Sequence, residues 1–161
     1  MISRRYLRIK IFQALYAYYQ SNDKNDQKAE NELFLSLERM NDLYLILLTL
    51  GQELTHQSKF KVEDAKKKRL PNEEDLNPNL KFIDNKLFQL LSENNYLNDR
   101  VKTKKLSWSK DQELMIKLFN FTKEHKVYKE YMLTRETTFE EDQKFVVNFY
   151  KKIIPEFDLL I

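Results

Sequence analysis

The first run of apolar positions with helical spacing covers residues 3 to 21, where Leu7, Ile11, Ala14, Leu15 and Tyr18 form one stripe and Ile9, Phe12, Tyr16 and Tyr19 widen it. Ser3 is placed to cap this helix, and Lys10, Gln13, Ala17 and Gln20 form the narrow strip left to water. So apolar a circumference predicts a helix wrapped by others, central to the fold. After the polar turn NDKNDQ, no proline interrupts residues 28 to 69, and Leu33, Leu37, Met40, Tyr44, Leu47, Leu48 and Leu54 keep helical spacing. Unbroken, such a rod would be on the order of 60 Å long. Its segment LYLILLTL (residues 43 to 50) is apolar almost all round, Gly51 marks a kink or a close packing point, and from Gln57 onward the apolar character fades toward solvent.

Residues 71 to 79 hold two of the three prolines and read as a loop, with Asn77 and Pro78 as N-cap and first turn of a third helix running to about Asn94. Residues 96 to 106 are either a short helix or a basic connection. Ser109 can cap a fourth helix through Leu114, Ile116, Leu118, Phe119 and Phe121, with Trp108 stapling its start. Thr138 with Glu141 three residues on matches a capping box for a last helix, which Pro155 bends or restarts before an apolar FDLLI terminus.

Composition sharpens this picture. With 24 Leu against 5 Val, one Gly and three Pro among 161 residues, hairpin punctuation is nearly missing, so the expected class is all-α, a helical bundle with one long helix in a single domain over residues 1 to 161. A single glycine excludes the glycine-rich phosphate loops of the common nucleotide-binding folds. Without cysteine, and with only His56 and His125, neither a disulfide nor a metal centre is expected, and no cofactor. No stretch is long and apolar enough to span a membrane and no cleavable leader is visible, so the expected location is the cytoplasm. The acid pairs Glu73/Glu74 and Glu140/Glu141 and the lone Glu53/His56 spacing read as solvated surface, and an enzyme is not expected.

The formal net charge of +3 hides segregation: residues 1 to 20 carry four cations and no acid, residues 59 to 69 six cations against two acids, and residues 100 to 110 five against none. In a chain with 21 Lys and 7 Arg, three of the arginines (Arg4, Arg5 and Arg8) fall within five residues. They sit in the first turns of a helix, where the macrodipole disfavours cations, so helix stability does not account for them. Guanidinium groups bind phosphate in bidentate fashion and stack on bases, and Tyr6, Phe12 and Tyr16 lie nearby, a combination suited to single-stranded RNA. The alternative is that they are solvated arginines paired with acids elsewhere. Lys66, Lys67, Lys68 and Arg69 are explained by a helix C-terminus. Lys102, Lys104 and Lys105 have no such structural reason at this level and join the candidate RNA-binding set.

The segment RRYLRIKIFQALYAYYQS (residues 4 to 21) resembles the opening helix of the NusB transcription antitermination factors, whose pattern RRxARxxAxQALY is matched without a gap at Arg4, Arg5, Arg8, Gln13, Ala14, Leu15 and Tyr16. Leu7 and Ile11 stand where that family has small alanines. Residues 144 to 161 are similar to a later family helix, with Asp158 at its acidic position. The resemblance covers under a quarter of the chain and implies the N-terminal portion of an extended bacterial member. It further implies an RNA-binding antitermination and termination factor that joins a small-subunit ribosomal protein (NusE) on a boxA-type RNA and acts on the RNA polymerase elongation complex. Arg4, Arg5 and Arg8 would then contact RNA, whereas Gln13 and Tyr16 would be structural. A second reading is a helical protein-interaction scaffold, self-association to a homodimer included, built on the long second helix and the apolar C-terminal end.

Overall fold

The computed structural model describes residues 3 to 135 and 138 to 160; it is all-α, and among the described residues there is no strand. In order, the helices are α1 (Arg4–Gln20), α2 (Asp26–Leu48), α3 (Leu50–Lys66), α4 (Glu73–Leu76), α5 (Lys86–Ser92), α6 (Asn95–Thr103), α7 (Gln112–Glu124), α8 (Lys126–Tyr131) and α9 (Phe139–Asn148), the last running into a π-helical turn (Phe149–Ile153). Where one domain is expected from the sequence, the contacts gather into two compact units that meet within α2, one ending at Leu45 and the other starting at Ile46.

The first unit is α1 followed by most of α2. Ser3 caps α1 as expected, its side chain accepting from the Tyr6 amide at 3.5 Å. Against expectation, α1 has no buried residue. Its half-buried positions are Leu7, Lys10, Ala14 and Tyr18, a stripe at helical spacing, while Ile11 and Leu15 are exposed. Lys10 thus leaves the strip assigned to water and joins the sheltered face. The physical reason is geometric: in this unit α1 has one neighbour, and a single helix covers one side of another. Tyr18 closes the pair by donating its hydroxyl to Asp26 Oδ1 at 2.6 Å.

The second unit holds the core, in which Leu50, Leu54, Phe82, Phe88, Met115, Leu118, Phe149 and Ile153 are fully or almost fully buried. Its centre is aromatic. Phe145 stacks on Tyr131 with centroids 4.2 Å apart and meets Phe82 edge-on at 5.8 Å. The expected rod over residues 28 to 69 is broken at Thr49, two residues before Gly51. There the Ile46 carbonyl accepts from Thr49 Oγ1 (2.7 Å) and Trp108 Nε1 (3.3 Å), and the Leu47 carbonyl from the Tyr150 hydroxyl (3.0 Å). Side chains from remote parts of the sequence therefore satisfy carbonyls that a continuous helix would have used. Gly51 is a packing position: a Cβ there would overlap the Phe88 ring.

The capping box of Thr138 and Glu141 is present as expected. Other boundaries differ. The loop over residues 71 to 79 contains α4, capped by a box of Asn72 and Asp75. The third helix begins at Asn85, not Asn77, because the Asn85 side chain accepts from the Leu87 and Phe88 amides. The fourth starts after Asp111 rather than Ser109, whose hydroxyl pairs with that of Ser107 at 2.9 Å. The unexpected α8 starts at His125, where Nδ1 accepts from the Val127 amide. Buried polar groups hold α5, α8 and α9 together: Tyr131 donates to Asp142 Oδ1 at 2.5 Å, and the other Asp142 oxygen accepts from the Lys86 amide at 2.9 Å. Lys81, almost fully buried, sits 4.7 Å from the Tyr131 ring centroid and bonds Thr134 Oγ1 and Glu141 Oε2. At the C-terminus Phe157 is buried in the core and Leu160 packs against it, so the expected exposed apolar end reduces to Leu159; Ile161 lies outside the described residues.

Candidate nucleic-acid interface

Arg4, Arg5 and Arg8 occupy the first two turns of α1 and all three side chains are exposed. Helical geometry places Arg4 and Arg8 one turn apart on one line, with Phe12 one turn beyond Arg8 and Tyr16 one turn beyond Phe12. Tyr6, Phe12, Tyr16 and Tyr19 are 58, 69, 60 and 69% exposed. The arrangement is a basic end leading into a run of accessible rings, with the side opposite taken up by the Leu7, Lys10, Ala14 and Tyr18 stripe. Among the described residues no carboxylate pairs with any of the three arginines. Among the described residues, then, the sequence alternative of arginines neutralised by acids elsewhere is not seen, and all three arginines are exposed. The expected structural role of Gln13 and Tyr16 is not seen either, since both are exposed.

The sheltered side of α1 faces α2 across Ala14, Tyr18, Ala29 and Leu33, and a groove of about 340 Å³ runs beside that line, lined also by Lys10, Lys28 and Glu32. The Tyr18 phenol is held above its ordinary pKa, first by its hydrogen bond to Asp26 and then by desolvation and the Asp26 charge. It acts as a donor that pins the helix pair, not as an acid.

The second candidate set falls in the other unit and has a structural account that the sequence did not offer. Residues 95 to 103 are α6, so Lys102 lies in its last turn, half-buried Lys104 is its C-cap and Lys105 follows. Cations there are favoured by the helix dipole. The end is a Schellman motif, with the Leu106 amide donating to the Val101 carbonyl (3.0 Å) and the Lys105 amide to the Lys102 carbonyl (3.1 Å). Lys105 stands at the left-handed position with φ 54°, where glycine is usual. The structure thus brings Arg4, Arg5 and Arg8 together on α1, and Lys102, Lys104 and Lys105 together at the end of α6. The run at residues 66 to 69 closes α3, with Lys68 ion-paired to Asp75 at 2.9 Å.

Neither a protein-family model, nor a characterised protein, nor a solved structure matches this chain. The resemblance of its first helix to the NusB pattern consequently rests on the residues of that helix alone. Among the described residues no helix is long and apolar enough to cross a membrane.

Proposed function

We propose that the chain is a NusB-like RNA-binding factor of transcription antitermination and termination, acting in the cytoplasm without catalysis by holding a single-stranded boxA-type element on α1. In this reading a small-subunit ribosomal protein and the RNA polymerase elongation complex are its further partners. The observation that carries the proposal is the exposed triad Arg4, Arg5 and Arg8, unpaired with any described carboxylate and continued along the helix by Phe12 and Tyr16, with Tyr6 exposed within the triad itself. Arginine forks supply phosphate contacts, and the rings supply stacking platforms for unpaired bases. Lys102, Lys104 and Lys105 are a weaker second contact, because the dipole of α6 already accounts for their charge.

Fluorescence anisotropy of a short boxA-like RNA against a scrambled control, at low and high salt, tests the reading. Replacing Arg4, Arg5 and Arg8 together with alanine is expected to weaken binding at least about tenfold at low salt and to flatten the log–log salt slope by about 2, since each single-strand phosphate contact contributes about 0.7. Unchanged affinity and slope in the triple variant would sink it.

A protein-interaction scaffold is the second reading, and one observation favours it: Ile9, Ile11 and Leu15 on α1 are 41, 46 and 51% exposed beside the aromatic residues. A monomer in light scattering that binds no apolar dye removes that reading.

A further inference from the structure

The second unit contains a cleft of about 610 Å³ between α3, α4, α7 and the segment after α8, within the size range of small-ligand sites. Two lysines converge on its floor from different helices. Lys61 of α3 places its ammonium 4.7 Å from the centroid of the Phe119 ring, and Lys123 of α7 places its own 5.9 Å from the same centroid. Phe119 is only 2% exposed, so the ring that both ammoniums approach is fixed in place by the core. Among the described residues neither ammonium has a carboxylate partner. Lys61 donates to Asn120 Oδ1 at 2.7 Å, which occupies one of its three N–H groups.

Two like charges drawn to one ring repel each other. Partial burial first, and the charge of Lys123 second, hold the Lys61 ammonium below the usual lysine range. Arg135 also lines the cleft, its guanidinium oriented by two bonds to Asn77, at 3.1 Å to Oδ1 and 2.9 Å to its carbonyl. Among the described residues the acids lining the cleft are Asp75, whose carboxylate is already taken by Lys68 and the Asn72 amide, and the exposed Glu74. Among the described residues three cations, Lys61, Lys123 and Arg135, thus line the cleft with one carboxylate, that of Glu74, not otherwise paired.

We infer that this cleft binds a phosphate group, held by Lys61 and Lys123 beside the Phe119 ring, with Arg135 a further cation of the same cleft. A phosphate carries up to two negative charges and several acceptor oxygens, so it can bridge both lysines. The phosphate can come from a small phosphorylated ligand or from a nucleic-acid backbone. The inference does not depend on the arginines of α1.

Lysine ammonium signals in ¹H–¹⁵N spectra of the whole chain, followed at constant ionic strength, read the site directly. Titrating inorganic phosphate is expected to move the Lys61 and Lys123 signals together and saturably, while Lys66 and Lys67 stay with the bulk salt response. Lys61→Gln and Lys123→Gln are each expected to weaken phosphate binding about tenfold as reported by the remaining lysine of the pair. A parallel arm with a short single-stranded RNA separates the sources. Joint movement with inorganic phosphate alone assigns a small ligand, and joint movement with RNA that inorganic phosphate reverses assigns a backbone. If neither probe moves the pair beyond Lys66 and Lys67, the inference is overturned, whatever the outcome of the α1 arginine test.

Discussion

The charge state of single residues here follows from what surrounds them. Tyr128 lies in α8 against the aromatic core, and burial pushes its phenol up to about 12. The unfolded phenol ionises near 10, so above that pH the unfolded chain releases a proton that the folded chain retains. Stability should therefore fall as pH rises from about 10 to about 12, by up to ~2 kcal/mol from this one group. Chemical denaturation of the native chain and of Tyr128→Phe at pH 9 and pH 11.5 checks it: the variant should lose less stability over that interval, and equal losses would exclude Tyr128 as a source. At the same scale, Arg4, Arg5 and Arg8 stood out in the sequence because their type and spacing conflicted with the local helix dipole. Lys61 and Lys123 gave no such signal. They lie 62 positions apart and become neighbours only because α3 packs on α7.

Helices in this chain are legible where capping chemistry is local. Thr138 and Glu141 complete their box with bonds spanning three residues, so the start of α9 could be read from four letters. The break between α2 and α3 is only partly local: Thr49 Oγ1 takes the Ile46 carbonyl from three residues on, but the further donors to the carbonyls of Ile46 and Leu47 are Trp108 and Tyr150, from distant parts of the chain. The His125 cap of α8 was missed because imidazole is not among the usual capping side chains. Gly51 is conspicuous in the sequence as its single glycine, but its partner, Phe88, lies 37 positions further on. With the Phe88 ring in the space of a Cβ, Gly51→Ala gains helix propensity and loses more by overpacking, a net destabilisation of about 1–3 kcal/mol. Thermal or urea unfolding measures this, and a more stable Gly51→Ala would mean that Phe88 can move aside at little cost.

For the molecule as a whole, the two units have different physical characters. The second has a contiguous core of buried aromatic and aliphatic residues, whereas α1 of the first has no buried residue. Local opening free energy follows buried apolar contact, so amides of α1 should exchange with solvent orders of magnitude faster than those of α7. Native-state hydrogen exchange with peptide-level readout checks this; matched protection in α1 and α7 would show that α1 is covered in solution.

By itself the sequence determined the helical class, since leucine-rich 3.6-residue periodicity with one glycine and three prolines permits little else, and it determined the basic first turns of α1. Those are properties of composition and of neighbours within a few residues. Tertiary structure alone decided which apolar stripe is sheltered. Periodicity offers several overlapping faces on α1, and only the position of α2 selected Leu7, Lys10, Ala14 and Tyr18. It also decided that the arginines have no carboxylate partner among the described residues, that the lysines after Val101 end a helix, and that Lys61 and Lys123 share one ring. Each of these depends on contacts between residues distant in the chain, and no pattern over a few positions encodes them.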